Sequence, residues 1–326
     1  MNTHSNVLSQ TTVESDGGEA MPTSNSVSPR TNNVPDVSPP SIGSSAMLSE
    51  LSISQWTARK KDRKASKDVT DSNNAESGVA NVNKKLLGNC AELDRVHKMT
   101  SMIRNAHYAM TMPWSDTGLR LLPTVQYFNY HKAMTDLENE WRSLVATFLS
   151  SYQWEISKAQ AKLGDLFDVD EYPTTDALTG RFAFNLNYIP LPDAGDFRID
   201  VGKDAVDEVK TSYDNYYARQ LENAMNDVWT RLHTALSKMS ERLDYSDTIG
   251  DKKIFRDSLV DNVMEMVSLL DVCNVTGDSH MAALKNKLGD TMYGISADVL
   301  RESTDTRVET KRAVDQIISE LPSIEI

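Results

Sequence analysis

The side chains that could do chemistry in this chain are scattered, and their spacing argues against most familiar reactions. The six histidines stand apart as His4, His97, His107, His131, His233 and His280. There is no His-Glu-x-x-His and no Cys-x-x-Cys, so a metalloprotease helix or a thiolate zinc knuckle has no support. Cys90 and Cys273 are the only two cysteines, too few for a disulfide framework and consistent with free thiols. Phosphate-cradling, dinucleotide-binding and serine-nucleophile loops all have glycine signatures, and none occurs. Asp193, Asp196 and Asp200 flank Arg198, and Asp165, Asp168, Asp170 and Glu171 follow one another closely. Oxygen-rich clusters can hold magnesium or calcium, but no liganding-loop spacing is met here, so they read as solvated turns with Arg198 neutralising its neighbours. No catalytic residue, metal or cofactor is expected.

Two groupings suggest contact rather than catalysis. Arg59, Lys60, Lys61, Arg63, Lys64 and Lys67 are opposed locally only by Asp62, and Leu48, Leu51, Ile53 and Trp56 precede them. Apolar residues followed by dense positive charge read as a docking arm, or as phosphate contacts beside a stacking tryptophan. Between Pro113 and Pro123, a loop carries Trp114, Asp116 and Arg120. Such a loop serves more readily to brace a sharp turn than to bind a ligand, with Gly118 free to take a positive φ.

The elements that must position these groups are mostly helical. In residues 124–167, apolar side chains fall at Tyr130, Met134, Leu137, Trp141, Leu144, Phe148, Tyr152, Ile156, Ala159 and Leu163, in steps of three or four. Residues 203–243 repeat the pattern with Val206, Val209, Tyr213, Tyr217, Leu221, Ala224, Val228, Leu232, Ala235, Met239 and Leu243. A helix of about 40 residues is roughly 60 Å long, so the simplest arrangement is an antiparallel coiled-coil hairpin, stripe against stripe. The insert at 168–202 changes to period two. Phe182, Phe184, Leu186 and Tyr188 form one strand and Phe197, Ile199 and Val201 the other, a small β-hairpin at the tip. Two strands cannot cover that much apolar face, so Phe182, Phe184, Tyr188 and Phe197 are expected to mediate self-association. Further helices are expected at 83–110, 251–273, 279–288 and 296–321, giving a mainly α fold.

Composition sets the boundaries. No Phe, Trp or Tyr precedes Trp56. Residues 1–47, rich in Ser, Thr, Asn and Pro, are expected to be a disordered leader, because they cannot bury enough apolar area to offset their ordering entropy. Residues 48–82 follow as a docking arm, and 83–326 as the helical body. A formal net charge of −13 argues against a broad electrostatic footprint on nucleic acid. Neither a secretion signal nor a run long enough to span a membrane is evident.

Four segments occur in a telling order: Ile53-Ser54-Gln55-Trp56-Thr57-Ala58-Arg59-Lys60-Lys61-Asp62, Thr111-Met112-Pro113-Trp114-Ser115-Asp116-Thr117-Gly118, Asp170-Glu171-Tyr172-Pro173, and Pro192-Asp193-Ala194-Gly195-Asp196-Phe197-Arg198. Together they resemble a family of unknown function widespread in bacteriophages and integrating elements, over Ser52 to Leu243. Members are sometimes encoded near a MoxR-like AAA+ ATPase, a von Willebrand A-type protein and recombination genes. The resemblance lends no catalytic residues. It implies an accessory role in the host cytoplasm, as a scaffold for a protein partner such as an AAA+ ATPase, or alternatively as a nucleic-acid accessory factor.

Overall fold

In a computed structural model, residues 42–191, 203–244 and 256–322 are described, with residues 203–207 described as backbone only. The chain divides into two units, Met1–Ser38 and Pro39–Ile326. The first lies outside the described residues, as do most of the expected leader and the expected strand at 197–201. Every described element belongs to the second.

The described elements run α1 (Ile42–Ser45), β1 (Ala46–Ser54), β2 (Arg59–Asp62), α2 (Arg63–Ser72), β3 (Val82–Lys85) and α3 (Ala91–Met110). They continue with β4 (Met112–Pro113), β5 (Leu119–Pro123), α4 (Tyr127–Leu163), α5 (Thr175–Thr179), β6 (Ala183–Pro190) and α6 (Lys203–Leu243). Four helices close the described chain: α7 (Ser258–Cys273), α8 (Ser279–Met292), α9 (Ala297–Glu302) and α10 (Thr304–Glu320). The fold is mainly α, with a small antiparallel sheet.

That sheet has the order β4-β5-β1-β6. β1 is therefore central: Leu48 lies opposite Leu121 on one side and Ile189 on the other, and Ile53 lies opposite Phe184. Leu51, Ser52, Ile53 and Ser54 already alternate in the manner of a strand. The segment expected as a docking arm is thus built into the body, and Ala46 and Met47 from the end of the expected leader begin the same strand. Its apolar residues have two strands to pair with, β5 and β6, and both come from regions far along the chain. Among the described residues, β6 likewise takes β1 as its partner. A second, two-stranded sheet pairs β2 with β3.

The two long helices exist as expected, but their stripes enter different cores. From α4, Tyr130, Met134, Trp141, Phe148, Tyr152 and Ala159 pack with Leu93, Val96, Met99 and Ile103 of α3 and with Phe184 of the sheet. From α6, Tyr217, Ala224, Val228, Leu232, Leu236 and Met239 pack with side chains of α7, α8 and α10. Stripe against stripe is not the arrangement: each rod has its own set of shorter partners. A periodic stripe specifies that a face is buried and leaves open what buries it. α4 ends at Gly164, whose φ of 51° is a left-handed stop.

Candidate functional site

Trp56, expected as an exposed contact, is buried at 6% exposure, with its ring 5.7 Å from that of Tyr152 and 6.3 Å from that of Phe148. His97 Nε2 contacts the Trp56 carbonyl at 2.9 Å. This removes Trp56 as a stacking surface for nucleic acid, because its large apolar area is worth more against α4 than in water. The basic residues do remain outside. Arg59, Lys60 and Lys61 project from β2, and Arg63, Lys64 and Lys67 from α2; all six are exposed. Lys60 leans towards Glu171 at 3.6 Å, and Lys84 from β3 holds the same carboxylate at 2.6 Å. The acidic end of the α4 segment thus braces the β2–β3 pair.

The proline-bounded loop is a small hairpin. Met112 and Pro113 pair with Leu121 and Arg120, and the Trp114 and Ser115 amides both donate to the Leu119 carbonyl. Gly118 turns it with φ 101°. Trp114 is buried, edge-on to Tyr217 of α6 at 5.3 Å. Arg120 donates from Nε to Thr111 Oγ1 at 2.7 Å and from Nη2 to the Thr111 carbonyl at 2.9 Å, with its guanidinium 4.9 Å from the centre of the Tyr108 ring. Arg231 of α6 reaches the Ala109 carbonyl at 3.1 Å and that of Thr111 at 2.9 Å, and pairs with Asp227 at 2.6 Å. Two guanidinium groups therefore satisfy the carbonyls at the C-terminus of α3, where the helix dipole favours cations. The loop braces chain direction, and it also ties the α3–α4 core to the α6–α10 core. Asp116 is exposed at the rim of a cavity of about 280 Å³ lined also by Arg104, His107, Tyr108 and Arg120.

Beneath that cavity lies a polar group that spacing did not reveal. His107 Nδ1 and Tyr130 OH are 2.7 Å apart, and Tyr130 OH meets Ser49 Oγ at 3.0 Å. Burial holds the His107 imidazole down to about 4, and the Arg120 charge adds to the effect. Burial pushes the Tyr130 hydroxyl well above its ordinary range. At neutral pH the group is uncharged and internally satisfied, a rigid polar joint between β1, α3 and α4.

The tip aromatics face inward. Phe182 meets Phe148 at 5.9 Å and Trp141 at 6.3 Å, Phe184 meets Trp141 at 6.2 Å, and Tyr188 lies 5.1 Å from Tyr127 and 6.2 Å from Tyr130. Among the described residues, α4 packs against the part of that apolar face carried by Phe182, Phe184 and Tyr188. Asp193, Asp196, Phe197, Arg198 and Asp200 lie outside the described residues.

One surface has the opposite character. A groove of about 510 Å³ runs between Met110 of α3, Gln126 and Asn129 at the start of α4, and Met266, Leu269 and Val272 of α7. A second, of about 310 Å³, shares Met266 and Glu265 with it and continues along Arg231, Ala235 and Lys238 of α6. Val125 and Phe128, at the entry to α4, are 73% and 80% exposed. No helix among the described residues is long and apolar enough to cross a membrane. Comparison with protein-family models, curated proteins and solved structures finds no match.

Proposed function

We propose that the chain is a non-enzymatic interaction protein of phage origin, acting in the host cytoplasm as a scaffold for a protein partner such as an AAA+ ATPase machine. The observation that carries this reading is the apolar track along α7, two grooves joined at Glu265 and Met266, with Val125 and Phe128 exposed at the entry to α4, which also lines the first. A contiguous apolar surface left in water, rimmed by polar residues, marks a contact surface. A narrow apolar track rimmed by Glu265, Arg231 and Lys238 suits the apolar face of an amphipathic helix, with both signs of charge available to fix its direction. Partner binding is tested by affinity purification from infected cells with mass spectrometry, comparing the native chain with Phe128→Glu/Met266→Glu. One protein recovered with the native chain and lost with the folded double variant supports the reading. An identical set recovered with both would overturn it.

The exposed cations Arg59, Lys61, Arg63, Lys64 and Lys67 favour a second reading, an accessory factor that contacts nucleic acid through phosphates alone. Its signature is DNA binding that weakens steeply with salt and is lost in Lys61→Glu/Lys64→Glu/Lys67→Glu.

A further inference from the structure

Among the described residues, one grouping of metal-ligand side chains draws three donors together: Cys90 Sγ and one carboxylate oxygen each of Glu92 and Glu155 lie within 4.8 Å of one another. They come from two elements. Cys90 is the N-cap of α3, Glu92 stands in the first turn of that helix, and Glu155 is carried by α4. Glu155 is out of place by the logic of its helix. Its neighbours one turn away on the same face, Tyr152 and Ala159, are fully buried core residues, whereas Glu155 is a carboxylate only 2% exposed.

The hydrogen bonding around that carboxylate is incomplete. Oε1 pairs with Lys158 Nζ, while Oε2 is buried and has no hydrogen-bond partner. A buried carboxylate oxygen without a donor is unfavourable, and a neutral apolar residue at that position would avoid the cost. Cys90 Sγ lies 3.8 Å from Glu92 Oε2. Burial pushes its thiol up to about 11, opposed by the Leu93 backbone N–H and reinforced by Glu155 and Glu92. Three donor atoms are thus gathered within 4.8 Å of one another, with Lys158 paired to one of the carboxylate oxygens.

We propose that Cys90, Glu92 and Glu155 form a binding site for a divalent transition metal of the zinc class. One soft thiolate with two carboxylates selects zinc or cobalt over magnesium and calcium, which require six or more hard oxygen donors. Three protein donors leave a coordination position for water. Lys158 is the resident counter-charge; its side chain is 38% exposed, so its flexible stem can carry the ammonium into solvent when an ion takes its place. Binding releases the thiol proton to solvent. The bound ion ties the start of α3 to the C-terminal third of α4.

Cobalt titration of the full chain tests this. The expected result is one Co²⁺ per chain with a near-ultraviolet thiolate-to-cobalt charge-transfer band, displaced by Zn²⁺ and unaffected by excess Mg²⁺. Cys90→Ser, with its circular dichroism unchanged, should abolish the band, Glu155→Gln should weaken binding at least tenfold, and Cys273→Ser should leave the band intact. A native chain without the band, or a band that survives Cys90→Ser, would overturn the proposal.

Discussion

His107 shows how a single buried side chain sets a condition on the whole fold. Its imidazole is neutral in the folded chain, with a pKa of about 4 against an ordinary 6.5. The unfolded chain therefore takes up a proton at a pH where the folded chain does not. Stability is unaffected above about 6.5 and falls as the pH drops towards 4, by an amount on the order of 3 kcal/mol. Denaturant unfolding of the native chain and of His107→Gln between pH 7 and 4 should show a shallower pH dependence in the variant; parallel curves would contradict the buried neutral state. Trp141 offers a second residue-scale test. It is 1% exposed, and its Nε1 donates to Thr100 Oγ1 at 2.9 Å. Trp141→Phe should cost about 1–3 kcal/mol, since it opens space beside Phe182 and Phe184 and removes a buried donor. Equal midpoints in urea for the two chains would show that neither the contact nor the hydrogen bond matters.

At the scale of elements, the C-terminus of α3 is the joint on which the two cores turn. Arg231 bonds two terminal carbonyls and Asp227, so Arg231→Ala should cost about 1.5–3 kcal/mol and leave that carboxylate without its cation. Arg231→Lys should recover only part, because a single ammonium cannot span the Ala109 and Thr111 carbonyls as a fork does. Thermal unfolding of the three chains checks the order. The long helices were legible in the sequence because their stripes persist over many turns. The central strand β1 was not: Leu48, Leu51 and Ile53 sit among serines, and their partners Leu121, Ile189 and Phe184 arrive only through long-range pairing. The same limit hid the site residues. His107, Tyr130 and Ser49 carry no local motif, and nothing in the spacing of Glu155 marks it as buried.

The described residues of the second unit form two cores, linked by the proline-bounded loop and by the sheet. β1 contributes to both, with Ala46 and Leu48 in the α6 core and Ile53 in the α3–α4 core, so the start of the fold lies well before residue 83. A chain shortened through Ser54 loses the strand that both β5 and β6 pair with. It should unfold without a cooperative transition in calorimetry, and a native-like transition would show that β1 is dispensable. The exposed cations of β2 and α2 and the apolar track along α7 are separate surfaces, built from different elements, and only the second has the character of a protein contact. Site-specific photocross-linking in cells that express the chain tests that claim most directly, with the photoreactive residue placed at Ser268 within the track or at the exposed Ser150 of α4 as control. One discrete protein adduct from Ser268, absent from Ser150, is the predicted result. No adduct from Ser268, or the same adducts from both positions, would contradict it.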